Sequence, residues 1–326
     1  MNSTYEFLPN IYQVGGNDRR IERFENIFPL PGGVAYNSYL INDEKTALLD
    51  TVDSAISAEY MENIAYALNG RQLDYLIINH MEPDHCANIE EVLRRYPDVK
   101  VIGNAKTFQF FNQYYSMDLS SNRIEIKEGD ELSLGKHTLR FYMAPMVHWP
   151  EVMVTYEISQ GILFSADAFG SFGAMSGNIF ADEVEYDSYY LDEARRYYTN
   201  IVGRYGRQVQ ALLKKLSGLE INMICSLHGH IWRGDMLGFI LDKYDKWSRY
   251  VPEKKGVVIA YASMYGNTEN AVNALATKLA QRGAKDIRVY DVSKTHASYI
   301  ISDIFKYSNV VFASPTYNMT LYFPMD

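Results

Sequence analysis

The chain has 326 residues, 47% hydrophobic and 22% charged, a balance that implies a packed core, excludes a disordered chain and allows two domains. Its formal net charge of -9 argues against nucleic acid or an anionic membrane as a partner and suits a basic protein partner or none. Two cysteines, Cys86 and Cys225, are too few for a disulfide framework or a four-cysteine metal site and read as buried thiols in a reducing cytoplasm.

The opening MNSTYEFLPN lacks the basic stretch and apolar run of a signal peptide. No apolar run is long enough to span a bilayer. Short strands come first, over 12–14, 35–41 and 46–50, separated by Gly-Gly-Asn, Pro-Gly-Gly and Asn-Asp-Glu turn signals. A helix follows over 54–69, with Ile56, Tyr60, Ile64 and Leu68 on one face. Strands at 73–78 and 99–103 alternate with helices at 88–95 and 107–113. Strands at 123–127, 138–143, 152–158 and 161–164 precede one long helix or a pair over 189–216. A last buried strand at 221–226 and a helix at 236–250 close this part. The mixture predicts a sheet sandwich covered by helices, not one parallel sheet. Past the Val-Pro-Glu-Lys-Lys linker at 251–255 the pattern becomes βαβαβ, with strands at 256–262, 287–292 and 309–313 and helices at 269–282 and 298–307. The 27 tyrosines find no physical account in the sequence.

The densest chemistry is Asn79-His80-Met81-Glu82-Pro83-Asp84-His85, directly after a buried strand and before a helix. Imidazole and carboxylate together suit first-row transition metals, iron included. A strand-to-helix loop can turn alternate side chains toward one point, as a regular helix cannot. His148, Asp167 and His228 also follow predicted strands, where rigid scaffolds place reactive groups. Taken singly, each of these reads equally as a packing residue; with the motif they form a set. The seven histidines divide into four in this set and His137, His230 and His296 outside it.

In these residues the chain resembles the flavodiiron proteins, or A-type flavoproteins, which join a metallo-β-lactamase-like diiron domain to a flavodoxin-like domain. The superfamily motif His-x-His-x-Asp-His has glutamate in place of its second histidine in this family, as Glu82 stands here. A carboxylate adds negative charge and hard oxygen, which favours iron in its higher oxidation states. The resemblance implies an αββα sandwich over 1–250 and a flavodoxin-like α/β domain over 255–326. It also implies that His80, Glu82 and His148 hold one iron, that Asp84, His85 and His228 hold the other, and that Asp167 bridges them. In Ala-Leu-Leu-Asp-Thr at 47–51, Asp50 is then structural and not a ligand. Trp149 reads either as a wall of the pocket or as a packing aromatic, and Tyr197 and Tyr198 as helix residues able to approach it. Some members have a histidine near the position of Glu25; the carboxylate here bears on proton delivery or gas preference, not on the metals.

Ser263, Met264, Tyr265, Gly266, Asn267 and Thr268 follow an apolar strand and open a helix. Hydroxyls and backbone N–H groups at such a turn make an anion site, although a turn of this kind also serves as a plain helix cap. It resembles the flavodoxin phosphate loop, which implies FMN; the Gly-Lys-Ser/Thr ending of a P-loop is absent. Ser314, Pro315, Thr316, Tyr317 and Asn318 follow the third strand, at the place of a second flavin-flanking loop. Only three of the five strands of a flavodoxin-like sheet are read before Asp326, so the flavin domain is expected to be C-terminally incomplete. The family's activity would be reduction of dioxygen to water or nitric oxide to nitrous oxide. Electrons would come from a separate rubredoxin-like donor, in a head-to-tail homodimer. The rival readings are a zinc-dependent hydrolase of the metallo-β-lactamase superfamily, opposed by Glu82 and the flavin loops, and a non-catalytic flavodoxin-like carrier, opposed by the full ligand set.

Overall fold

In the computed structural model, which describes residues 1–326, two sheets lie face to face with helices over their outer sides. The first runs in spatial order Tyr5–Leu8, Ile11–Gln13, Tyr39–Asn42, Thr46–Leu49, Tyr75–Ile77, Lys100–Gly103 and Arg123–Glu125. Its early neighbours are antiparallel, but from Thr46–Leu49 onward pairing is parallel. Parallel pairing needs crossovers, and the helices Ser57–Leu68, Ile89–Arg95 and Ala105–Tyr114 supply them. The second sheet runs Glu131–Ser133, Thr138–Met143, Met153–Glu157, Ile162–Phe164, Met223–Cys225 and Trp232–Arg233.

Period-two side-chain alternation divides the core into layers. Tyr39, Ile41, Leu49 and Ile77 face Phe141, Met153 and Phe164 across the sandwich, in a cluster of 21 buried residues. Leu40, Leu48 and Leu76 point the other way, onto Tyr60 and Ile64 of the first helix, in a cluster of 54. Thr46–Leu49 is buried on both faces, which is why it reads as an unbroken apolar run. The helix Ser57–Leu68 stops at Asn69, whose φ of 48° makes a left-handed cap accepted more readily by Asn than by most residues.

Two expected elements break. The single strand expected over 35–41 is two, Val34–Tyr36 and Tyr39–Asn42, in different sheets. Asn37 diverts the chain between them: its side-chain amide donates to the Ser226 and Gly229 carbonyls at 2.9 and 2.8 Å. The long helix expected over 189–216 is interrupted. Leu191–Tyr197 widens into a π-type turn over Tyr198–Val202, and a regular helix resumes only at Gly206–Leu216. Gly206 lies so close to the Ser248 carbonyl that a β-carbon there would sit 2.4 Å from it. The edge strand Glu131–Ser133 had no sequence signal beyond one apolar residue.

A separate sheet has Lys254–Tyr261 at its centre, flanked by Ile287–Asp291 and Tyr307–Ala313, all parallel. One helix covers each face. Asn267–Gln281 packs Val272 on Ile259 and Tyr261, and Ala297–Lys306 packs Ile300 on Val258 and Ala260. No helix in the molecule is long and apolar enough to cross a membrane.

Candidate metal centre

The site is built where the two sheets meet at their strand ends. Asp50 follows Thr46–Leu49 and turns left-handed, with φ 56°. Its carboxylate accepts from Asn79 N at 2.7 Å, Asn79 Nδ2 at 2.8 Å and His80 N at 3.1 Å. Asn79 in turn accepts from Thr155 Oγ1 at 2.7 Å and, through its carbonyl, from Met153 N at 3.0 Å. Asp50 is therefore a buried clamp that fixes the start of the motif and stitches one sheet to the other. Burial pushes its carboxyl up to about 6 against the donors from Asn79 and His80. Glu82 ends the loop, and Pro83 begins the short helical turn Pro83–Cys86, which carries Asp84 and His85.

The other sequence-predicted ligands arrive from the second sheet. Asp167 follows Ile162–Phe164, and His228 follows its parallel neighbour Met223–Cys225. Leu227 N donates to the Ala166 carbonyl at 2.9 Å, which locks the two ligand loops together. His148 comes from the connection between Thr138–Met143 and Met153–Glu157. All of these side chains are buried and converge into two groups, His80 with Glu82, His148 and Asp167, and Asp84 with His85 and His228.

Asp167 faces both. Its Oδ2 lies 3.0 Å from His148 Nε2 and 3.5 Å from His80 Nε2, while Oδ1 lies 3.0 Å from His85 Nε2 and 3.7 Å from His228 Nε2. Glu82 Oε2 is 3.2 and 3.1 Å from the Nε2 atoms of His80 and His148. Asp84 Oδ2 is 3.3 Å from those of His85 and His228. Metal–ligand bonds of about 2.1 Å place neighbouring ligand atoms about 3.0–3.4 Å apart; these spacings fall in that range except the two longer ones from Asp167 to His80 and His228. Both Asp84 oxygens and Asp167 Oδ1 are buried with no hydrogen-bond donor, a costly arrangement unless cations compensate them. The donors are imidazole nitrogen and carboxylate oxygen with no thiolate, since Cys86 turns its Sγ to the Met81 carbonyl at 3.3 Å. That set fits iron.

The imidazoles and carboxylates of the pocket shift one another's titration in opposite directions. Burial lowers the His80 and His148 pKa values, but the charge of Asp167 and the hydrogen bonds the rings donate to the neighbouring carboxylates overcome it, raising His148 to about 9 and His80 well above its usual value. His148 and His80 hold Glu82, and His85 with His80 and His148 holds Asp167, well below the usual carboxylate range despite burial. Metal ligation requires ring nitrogens free of protons, so binding competes with protonation of these imidazoles.

Glu151, three residues after His148, is a site residue that the reading of the sequence did not single out. Its Oε1 accepts from Met81 N at 2.9 Å and meets His80 Nδ1 at 2.7 Å, so it fixes the ring with Nε2 toward the pocket. A carboxylate in the apolar run Trp-Pro-Glu-Val-Met-Val was the available signal. The Ala35 carbonyl does the same for His228, accepting from Nδ1 at 2.9 Å. Trp149 stands edge-on to His80 and His148, with centroids 5.4 and 6.2 Å away, and walls the pocket. Tyr197 packs on His228 at 5.3 Å, whereas Tyr198 faces away onto Tyr244 and Trp247. His137 pairs with Glu157, and His296 caps a C-terminal helix. His230 is buried among tyrosines. Glu25 lines a cavity of about 360 Å³ above Glu82 and Asp84. Burial and the Glu82 carboxylate push its carboxyl up to about 8.

The two predicted flavin loops lie side by side. Tyr261 and Ala313 are register partners, and Ala262 N donates to the Ala313 carbonyl at 2.9 Å. Ser263, Met264, Tyr265, Gly266, Asn267 and Thr268 thus leave the sheet next to Ser314, Pro315, Thr316, Tyr317 and Asn318. Gly266, with φ 88°, takes a conformation glycine adopts freely just before the helix Asn267–Gln281. Its N–H donates to Ser263 Oγ at 3.1 Å.

Known proteins match both parts. The ODP family beta lactamase profile covers residues 34–229, and the flavodoxin profile covers residues 259–320. A nitric oxide reductase from Moorella thermoacetica is 34% identical over 321 residues, 98% of this chain and 79% of that protein. The flavodiiron protein from Giardia intestinalis superposes with a TM-score of 0.93 at 29% identity, over 99% of this chain and 78% of that one. The rubredoxin oxygen:oxidoreductase from the anaerobe Desulfovibrio gigas gives a TM-score of 0.91 at 30% identity, over 99% and 80%. With more than half its length matched by the first profile and both domains in sequence, the chain belongs to the flavodiiron protein family.

Proposed function

We propose that the chain is a flavodiiron oxidoreductase whose residues 1–250 carry two iron ions and whose residues 255–326 bind FMN. His80, Glu82 and His148 would hold one iron and Asp84, His85 and His228 the other, with Asp167 available to both. The observation that carries this reading is Asp167, whose two carboxylate oxygens each face a different imidazole group at 3.0 Å. When bound, the metals supply the redox chemistry that reduces dioxygen to water or nitric oxide to nitrous oxide, with FMN relaying the electrons.

The chain's own residues orient and enclose that site. Glu151 and the Ala35 carbonyl fix two imidazoles. Trp149, Phe24 and Tyr197 press aromatic rings on the ligands and exclude water from their flanks. Small gases reach Glu82 and Asp84 through the cavity lined by Glu25. Electrons come from a separate rubredoxin-like donor. The protein works in the cytoplasm as a head-to-tail homodimer, which sets the flavin loops of one copy over the metals of the other. Glu82, which supplies oxygen where zinc enzymes of this superfamily have imidazole, opposes the hydrolase reading.

Elemental analysis and a visible spectrum of the purified protein test this. Two irons per chain and a flavin band are expected; stoichiometric zinc without flavin would overturn it. Anaerobic stopped-flow mixing of the reduced, iron-loaded protein with each gas then ranks the substrates.

A further inference from the structure

Above the metal pocket lies a small hairpin, Arg23–Phe24 paired with Phe28–Pro29. Its tip places Glu25 and Asn26 consecutively in the left-handed region, with φ 50° and 56°. Non-glycine residues are strained in that region, so the tip needs outside support. Phe24 rests on the ligand His228, with centroids 5.4 Å apart, and Glu25 lines the cavity over Glu82 and Asp84.

The support converges on Arg196, a fully buried arginine of the helix Leu191–Tyr197. Its guanidinium carbon lies over two aromatic rings, 4.5 Å from the Phe172 centroid and 4.4 Å from that of Tyr299. At its edge, Nη2 donates to the Pro29 carbonyl at 3.0 Å and Nη1 to Ser298 Oγ at 3.2 Å, while Glu193 takes Nε and Nη2. Pro29 belongs to the hairpin, and Ser298 and Tyr299 to the first turn of the C-terminal helix Ala297–Lys306. Phe172 in turn packs on Phe24 and Tyr197, two of the rings that sit on His228. Phe28 adds a direct contact to His296, at 6.4 Å between centroids. One planar group thus touches the hairpin, the wall of the metal pocket and the flavodoxin-like unit.

We infer that Arg196 is a positioning residue that ties the 23–29 hairpin, and so the opening of the metal pocket, to the seating of the helix Ala297–Lys306. The inference rests on the diiron reading only for the identity of the pocket's contents. Lysine cannot replace this group, because the site uses a planar cation against two rings and a fork of donors. Loosening the helix on its side of Arg196 should therefore loosen the cover on the other.

Two readouts on the full chain test this. One is amide exchange at Ile27 and Leu30, whose N–H groups donate to Phe24 O and Glu22 O at 2.9 and 2.8 Å. The other is azide binding to the oxidised, iron-loaded protein. Arg196→Lys should speed exchange at both amides at least tenfold and azide association several-fold, with iron content unchanged. Ser298→Ala, which touches only the C-terminal side, should move both in the same direction by less. If Arg196→Lys does not fold, Ser298→Ala and Tyr299→Leu carry the test. Faster exchange confined to 297–306, with Ile27, Leu30 and azide unmoved, would reduce Arg196 to a docking contact. Protein that holds no iron would sink the diiron reading, while the amides still decide the role of Arg196.

Discussion

The sandwich that carries the metal ligands and the C-terminal sheet use the same kind of strand and differ in how much each strand buries. Around the sandwich, buried apolar residues form clusters of 54 and 21, whereas the two faces of the C-terminal sheet hold clusters of 4 and 3. Thr46–Leu49 is covered on both sides, while Phe312 of Tyr307–Ala313 is 62% exposed. Ligand placement to a few tenths of an ångström needs loops whose strand ends cannot shift, and the doubly covered sheets provide that. The C-terminal unit instead leans on the sandwich through Arg196, through Asp192 with Lys306, and through Arg195 with Glu253.

The largest expected effect comes from removing the residue both metal groups share. Asp167→Ala should leave less than one iron per chain by elemental analysis after gel filtration. Glu151→Gln, which disturbs only the orientation of His80, should weaken iron affinity by about 10- to 100-fold. The C-terminal sheet should keep its flavin in both variants; loss of FMN along with iron would show that the two regions are not separable as described.

Equivalent truncations then compare the cores. Ile77 lies between the two large sheets, and Ile259 lies in a three-residue cluster; both are fully buried. Ile77→Ala should cost about 4 kcal/mol and Ile259→Ala about 2 kcal/mol, because a loosely packed site collapses more readily around a cavity. Urea unfolding followed by tryptophan fluorescence and by flavin release separates the two, and equal costs would contradict the contrast between the regions.

Much of this was legible in the sequence for a local reason. The ligands sit at the ends of apolar strands, and strand, turn and helix signals within a dozen residues place His80 to His85, Asp167 and His228 there. Flavodoxin-like strands and their two loops were readable in the same way. What stayed hidden depends on partners far along the chain. Glu151 meets a ring 71 positions away. Asn37 splits an expected strand because Ser226 and Gly229, about 190 residues on, need its amide. Arg196 reads as an ordinary charged helix residue until Phe172 and Tyr299 close on it. Periodicity reports which face is buried, not what meets it.

Glu253 tests how firmly the linker is held. Burial alone would raise its carboxyl, but Arg195, Lys243 at 2.8 Å and Trp247 Nε1 at 2.9 Å outweigh it and lower it from 4.5 to about 2. A carboxylate depressed in this way stabilises the fold above its ordinary pKa and loses that contribution as pH falls through about 2. The shift corresponds to about 3 kcal/mol at neutral pH. Glu253→Gln should therefore be less stable than the parent by about that amount at pH 7, with the gap closing between pH 4.5 and 2. Measuring metal-free protein keeps ligand protonation equal in both. A gap independent of pH would remove the ion pair from the account.

The smallest effect is expected at the outer edge of the C-terminal sheet. Tyr307–Ala313 pairs with Lys254–Tyr261 on one side only, and exposed Val310 and Phe312 make its free edge apolar. A lysine on such an edge blunts pairing with other chains at little cost to the fold. Phe312→Lys should change unfolding free energy by less than about 0.5 kcal/mol while lowering light scattering during heating. If it instead destabilises by more than 1 kcal/mol, where an exposed site should not, the edge is covered in the working protein. The contrast between a deeply buried sandwich and a thinly covered sheet would then belong to the single chain and not to its assembly.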